Sequence, residues 1–233
     1  MSTEACAPVD VPVLTLDGPS GAGKGTVARR VADQLGWHLL DSGALYRLVG
    51  LAAQRSATSV DDEAGLVALV ASSDIEFEST MAGDERIVLN GDVVTDQIRT
   101  EQCGEWASQV AAVPAVRRAL VAKQHGFAEP PGLVADGRDM GTVIFPDATL
   151  KVFLTATAHE RAQRRHKQLK QKGIGGTFSA LYEDIRRRDE RDAQRSVAPL
   201  VAASDAFTVD TTSLNIDEVV AIILDAARKS KIL

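Results

Sequence analysis

Cysteine is nearly absent. The 233-residue chain has two, Cys6 and Cys103, far apart and outside any metal-ligand spacing. That pair implies no disulfide framework and no zinc site, and it suits a reducing compartment. No run of about 18 apolar residues exists, so no membrane-spanning helix is expected. Met1 to Val11 lack the basic segment and long apolar run of a secretion signal. A cytoplasmic location with no membrane partner is therefore the expectation. A basic excess is missing too. Lys and Arg number 26 against 32 Asp and Glu, and the net charge of −6 speaks against a general nucleic-acid binder. It still leaves room for a local basic pocket that holds a small anion. No repeats or low-complexity tracts stand out. What is there is ordinary for a globular protein: 45% hydrophobic and 25% charged residues, in a length that suits one α/β domain with insertions or two small domains.

The most informative stretch is Val13-Leu14-Thr15-Leu16-Asp17-Gly18-Pro19-Ser20-Gly21-Ala22-Gly23-Lys24-Gly25-Thr26. It reads as a strand, a glycine-rich loop and a helix start, with Val27, Ala28, Val31 and Ala32 at helical spacing beyond it. The pattern is G-x-x-x-x-G-K with one departure: Gly25 follows the lysine, and the hydroxyl comes at Thr26. Glycines let successive backbone N–H groups turn inward around an anion. The helix adds a positive dipole end, and Lys24 reaches the outer phosphates. The stretch predicts nucleoside triphosphate binding and leaves the phosphate acceptor open.

Along the chain, residues 1–10 read as a disordered leader, 12–17 as a strand and 24–35 as a helix stopped at Gly36. A short strand over 37–40 leads through Asp41-Ser42-Gly43 into a helix from Ala44 to Arg55. Asp61-Asp62-Glu63 starts another helix. Strands at 75–79, 86–89 and 93–94 are separated by turns at 81–84 and Asn90-Gly91-Asp92, which predicts a small antiparallel insertion. Helices follow over about 101–112 and 115–128. After Pro130-Pro131-Gly132 comes a buried parallel strand ending in Asp136-Gly137-Arg138-Asp139. Charges at the carboxyl end of such a strand line a ligand crevice. The remainder reads as a strand over 150–155, a helix over 159–170, a second arginine-rich helix reaching 195, a strand over 206–210 and a terminal helix over 215–229.

Arginines cluster at 161–165 and 186–195 although the protein is acidic. Arg161 and Arg165 share a helix face, and helical spacing also puts Arg188, Asp192 and Arg195 on one face. Such clusters are often solvated faces with exchanging ion pairs. In a chain that binds a triphosphate they suit phosphoryl transfer, where planar guanidinium groups neutralise the moving charge. The intervening Gly173-Ile174-Gly175-Gly176 predicts a hinge for a lid that excludes water.

These residues resemble bacterial cytidylate kinases, of the nucleoside monophosphate kinase group. The resemblance rests on the loop 17–26, Leu40-Asp41-Ser42-Gly43-Ala44-Leu45-Tyr46-Arg47, Ile98-Arg99-Thr100, Ala107-Ser108-Gln109-Val110, the run 135–143, Arg188-Asp189-Glu190-Arg191-Asp192, and Arg195 before Ala198-Pro199-Leu200. It covers about residues 11–228, with Gly25 marking the monophosphate kinase form of the loop. It implies an α/β fold of the P-loop NTPase kind. This is a three-layer α/β/α arrangement with a central parallel five-stranded sheet, a small antiparallel insertion in the acceptor region and a helical lid. The implied core is 11–60, 130–155 and 178–233, the acceptor region about 37–128 with its sheet over 72–100, and the lid about 158–177.

The implied activity is transfer of the γ-phosphoryl group of ATP to CMP or dCMP with Mg2+, in the cytoplasm and as a monomer. Gly18, Pro19, Ser20, Gly21, Ala22, Gly23, Lys24, Gly25 and Thr26 would hold ATP, with Thr26 the candidate metal ligand. Ser42, Tyr46 and Arg47 would meet the acceptor nucleotide, and Ser108, Arg117 and Asp139 would read its base. Arg138 and Arg188 would grip its phosphate, and Asp192 its sugar. Lys24, Arg188, Arg161, Arg165 and Arg195 would stabilise the transferred group. Asp17 and Asp136 are both candidates to order the metal's hydration shell. Two other readings stay open: a kinase for UMP, AMP or a shikimate-like acid, and an ATPase with no phosphate acceptor.

Overall fold

The computed structural model describes residues 11–79, 85–171, 173, 175–195 and 197–230. The expected leader and the turn at 81–84 lie outside them, as do Ile174 of the glycine hinge and residue 172 of the expected lid. The described chain forms two compact units. One runs up to Leu40 and from His125 onward, and the other is Asp41–Gln124. The helix after Asp41, which the resemblance placed in both the core and the acceptor region, belongs to the second unit.

In chain order the elements are β1 (Val13–Asp17), α1 (Lys24–Leu35), β2 (His38–Asp41), α2 (Ser42–Arg55), α3 (Glu63–Ser72), β3 (Ile75–Ser79), β4 (Glu85–Leu89), β5 (Asp92–Val93), α4 (Thr95–Ile98), α5 (Glu101–Val110), α6 (Pro114–His125), β6 (Leu133–Asp136), β7 (Leu150–Thr155), α7 (Ala158–Gln171), α8 (Phe178–Ala193), β8 (Phe207–Asp210) and α9 (Ile216–Lys229).

In the first unit the central parallel sheet has the order β2-β6-β1-β7-β8. β1 lies in its middle, so every residue of that strand is buried and the run reads as nearly unbroken apolar sequence. The apolar stripe of α1 (Val27, Ala28, Val31 and Ala32) packs with Val219, Val220 and Ile223 of α9 against Leu14, Leu16, Val134 and Val152. This fixes the start of α1 where β1 ends, at the glycine-rich loop. A wide helical turn at Met140–Ile144 follows β6. Nothing in the local sequence announced it.

In the second unit α2 starts at Ser42, two residues before the expected Ala44, because the Asp41 side chain accepts from the Ala44 N–H at 3.0 Å and caps it. The antiparallel sheet β3-β4-β5 forms as predicted, with Ile75 opposite Leu89 and Phe77 opposite Ile87. Its inward residues join Leu48, Leu51, Ile98 and Cys103 in one core. The short α4 was not anticipated. α6 ends at His125, three residues before the expected boundary.

Candidate active site

Three glycines of the loop after β1, Gly18, Gly21 and Gly23, take positive φ. Gly18 has φ 145°, and a Cβ there would fall 2.0 Å from the Leu154 carbonyl oxygen. Any other residue would push β7 away. Gly23 sits in the left-handed region at φ 90° and turns the backbone into α1. Inside this turn Lys24 is buried. Its Nζ donates to the Pro19 carbonyl at 3.0 Å and lies 3.9 Å from Asp136 Oδ1. An ammonium at a helix N-terminus, beside a glycine-rich turn, is of the chemical kind that phosphate oxygens pair with. Thr26 is exposed on the first turn of α1.

The two carboxylates near the loop differ. Asp17 accepts from the backbone N–H groups of Met140 and Gly141, one on each oxygen, at 2.8 Å. Burial pushes its pKa up to about 6; those two N–H groups and Lys24 act in the opposite sense, and the Asp139 charge adds to the rise. Asp17 therefore pins the wide turn that begins just after Asp139. Asp136 instead faces the loop: a Cβ on Gly25 would lie 3.4 Å from its Oδ2. A hydroxyl at Thr26 and the Asp136 carboxylate are hard oxygen donors of the kind magnesium takes. Among the described residues no group of three or more His, Cys, Asp or Glu could hold a metal.

Three candidate arginines of the first unit, Arg161, Arg138 and Arg195, are tied in two groups. Arg161 is buried and fixed by three partners. Its Nε donates to the Ala156 carbonyl at 3.0 Å, one terminal nitrogen reaches the Ser20 carbonyl at 3.0 Å, and the fork takes both oxygens of Asp189. It stitches the phosphate loop to α7 and α8. Asp192 is also buried, and its carboxylate joins Arg138, whose Nε is 3.2 Å away, to Arg195. α8 ends at Ala193, so Arg195 lies past the helix end. The expected continuous helical face through Arg195 is corrected to a turn that folds it back onto Asp192. Arg188 is half-buried on α8. Arg165 is half-buried on α7 and donates to Gln168 at 3.4 Å. Thr211, which no sequence signal singled out, has its hydroxyl 3.1 Å from the Thr155 carbonyl and 3.3 Å from the Ala22 carbonyl, and accepts from Arg164. Asp139 is buried at the entry to the wide turn.

The remaining candidates fall in the second unit. Arg47 is held by the carbonyls of Ile98 and Thr100, at 2.5 and 2.9 Å. This gives the Ile98-Arg99-Thr100 segment a physical part: it orients a guanidinium from α2. Tyr46 and Arg117 are buried, with the guanidinium carbon 5.6 Å from the ring centre, and Arg117 also donates to the Ala111 carbonyl at 3.3 Å. Ser42 is buried and donates to Gln124 at 2.9 Å. The Ser108 hydroxyl is buried with no hydrogen-bond partner among the described residues. A buried hydroxyl without a protein partner is open to a water or a ligand.

A family model described as cytidylate kinase matches residues 14–229. The protein named cytidylate kinase from Colwellia psychrerythraea is 57% identical over 209 residues, which is 90% of this chain and 92% of that one. Its namesake from Pseudomonas fluorescens is 58% identical over 217 residues, 93% and 95% of the two chains. That from Aeromonas salmonicida is 54% identical over 222 residues, 95% and 96%.

Proposed function

The chain belongs to the cytidylate kinase family, and from that premise we propose that it transfers the γ-phosphoryl group of ATP to CMP or dCMP, giving ADP and CDP or dCDP. The observation that carries the reading is the buried Lys24 ammonium inside the loop 18–26, beside Asp136. An acceptor phosphate oxygen attacks the γ-phosphorus, the bond to the β–γ bridging oxygen breaks, and that oxygen leaves on ADP. The attacking oxygen is already an anion at neutral pH, so no dedicated base is needed. Catalysis is then alignment and charge stabilisation.

In the first unit, the backbone of 18–26 and Lys24 would hold the ATP phosphates. Arg138 and Arg188 would bind the acceptor phosphate and Asp192 the sugar, while Asp139 would read the base. Arg165, Arg188 and Arg195 would neutralise the moving group. Arg161 would serve it by holding Ser20 and α8 together, as its buried bonds suggest. Residues 158–177 would act as the lid. In the second unit, Ser42, Tyr46, Arg47, Ser108 and Arg117 would meet the acceptor nucleotide. The orphaned Ser108 hydroxyl supports that assignment. Mg2+ would be held by phosphate oxygens and water, with Thr26 as direct protein ligand. Asp136 would order its shell, since both Asp17 oxygens are taken by backbone N–H groups. The ion supplies charge neutralisation and orientation of the donor phosphates. Monomeric, cytoplasmic action completes the proposal.

The test is ATP-dependent phosphorylation across CMP, dCMP, UMP, AMP and shikimate, read as nucleoside diphosphate or phosphoester formed. CMP or dCMP is expected to dominate. Equal or better turnover of UMP, AMP or shikimate, or ATP hydrolysis without a phosphorylated product, overturns the reading. In the same panel Asp139→Ala is expected to lower kcat/KM for CMP with little change in KM for ATP.

A further inference from the structure

Within the second unit, Gln124 of α6 is completely buried and lies against Ser42 at the first position of α2. The two polar ends of its amide have distinct partners. The Leu120 carbonyl, 3.4 Å from Nε2, can only accept, so the NH2 end must face it. Oε1 is then turned to Ser42 Oγ, 2.9 Å away. An amide oxygen cannot donate, so the Ser42 hydroxyl must. A serine hydroxyl has one proton, and this contact uses it. What Ser42 keeps for a ligand is lone pairs alone.

We propose that Gln124 is a specificity-determining positioning residue: by taking the Ser42 proton, it makes Ser42 a pure acceptor that selects a hydrogen-bond donor, the exocyclic amine of cytosine. The inference rests on the proposed role of Ser42 at the acceptor nucleotide. A freely rotating hydroxyl would tolerate either pyrimidine, since it can donate to the O4 of uracil as readily as it accepts from the N4 amine of cytosine. A hydroxyl locked as acceptor, and buried as Ser42 is, faces uracil O4 lone pair to lone pair. Buried polar groups without a complementary partner are what give a site its strongest rejection of a near-isostere. Gln124 touches no substrate; it acts through Ser42. Because its amide is held from both ends inside the core, the polarity of the hydroxyl is fixed before the nucleotide arrives.

The experiment measures kcat/KM for CMP, dCMP and UMP on the full-length enzyme and three variants. Gln124→Met removes the amide at similar volume and is expected to lower the CMP-to-UMP ratio about tenfold, the scale for one buried polar mismatch. Gln124→Glu is the conservative rescue. A neutral carboxyl can give its proton to the Leu120 carbonyl and accept from Ser42, so the ratio should stay within about twofold of wild type by the same donor and acceptor count. In a Ser42→Ala background, Gln124→Met should change the ratio no further. If the Met variant does not fold, Gln124→Asn withdraws the oxygen by one methylene while keeping a buried amide, and the same fall in ratio is expected. A Gln124→Met enzyme that loses CMP and UMP turnover in equal proportion has lost only packing, and the inference fails. A shift in the CMP-to-dCMP ratio with CMP-to-UMP unchanged puts Ser42 on the sugar and also overturns it. A wild-type enzyme that phosphorylates neither CMP nor dCMP would instead remove the functional reading on which the inference stands.

Discussion

Asp17 shows how one residue acquires a property that its neighbours in sequence do not predict. Its carboxylate is buried at the end of β1 and receives two backbone N–H groups from residues more than 120 positions away. Burial outweighs those bonds and raises its pKa from 3.8 to about 6. The folded chain therefore keeps a proton that the unfolded chain releases between pH of about 4 and 6. Stability contributed by this group falls as pH rises through that window and is level above it, by about 3 kcal/mol in all. Asn at this position cannot titrate. The stability of Asp17→Asn relative to wild type should therefore improve as pH rises from about 4.5 to 6.5, and then stay constant. Urea unfolding of both proteins across that range checks the slope, and parallel curves would show that Asp17 does not titrate there. From the sequence Asp17 was one of two equivalent candidates for a metal's hydration shell. Only the contacts separate it from Asp136. By contrast Lys24 was legible outright, because a lysine after a glycine-rich loop at a helix start has few other physical uses.

At the scale of elements, periodicity was a good guide where one face of an element is buried. The stripe of α1 and the alternation of β3 and β4 are local consequences of where the core lies. Periodicity failed where an element is held from outside. The wide turn over 140–144 is held by Asp17, whose carboxylate takes two of its N–H groups, and past the end of α8 at Ala193 the chain returns, with the Leu200 N–H on the Asp192 carbonyl at 2.9 Å. The second unit offers a test of element packing. Leu48 of α2 is fully buried among Ile87, Leu89, Ile98 and Cys103. Leu48→Ala is expected to destabilise by about 2–5 kcal/mol. Hydrogen exchange should show the loss in α2, α5 and the small sheet first, with β1 and β6 keeping more of their protection. Equal loss in both units would mean that they unfold as one.

For the whole molecule, the proposal that Mg2+ arrives with the substrate phosphates can be tested: under it, chelation should abolish turnover and added Mg2+ should restore it. The thermal midpoint of the nucleotide-free protein should not move with either treatment. A chelator-induced drop in that midpoint would reveal a structural metal. No helix among the described residues is long and apolar enough to cross a membrane. By itself the sequence determined the α/β class, the phosphate loop, the insertion and the family, since glycine positions, apolar periods and contiguous motifs are local properties of a chain. The tertiary structure alone decided how the charged and polar groups are used. It buried Arg161 as a brace between Ser20 and Asp189, gave Asp17 to a backbone turn, and left the Ser108 hydroxyl unpartnered among the described residues. It also set the donor end of Ser42 through a glutamine 82 residues away. Hydrogen-bond polarity depends on which groups meet in space and on how many protons each has to give, and neither is written in sequence spacing.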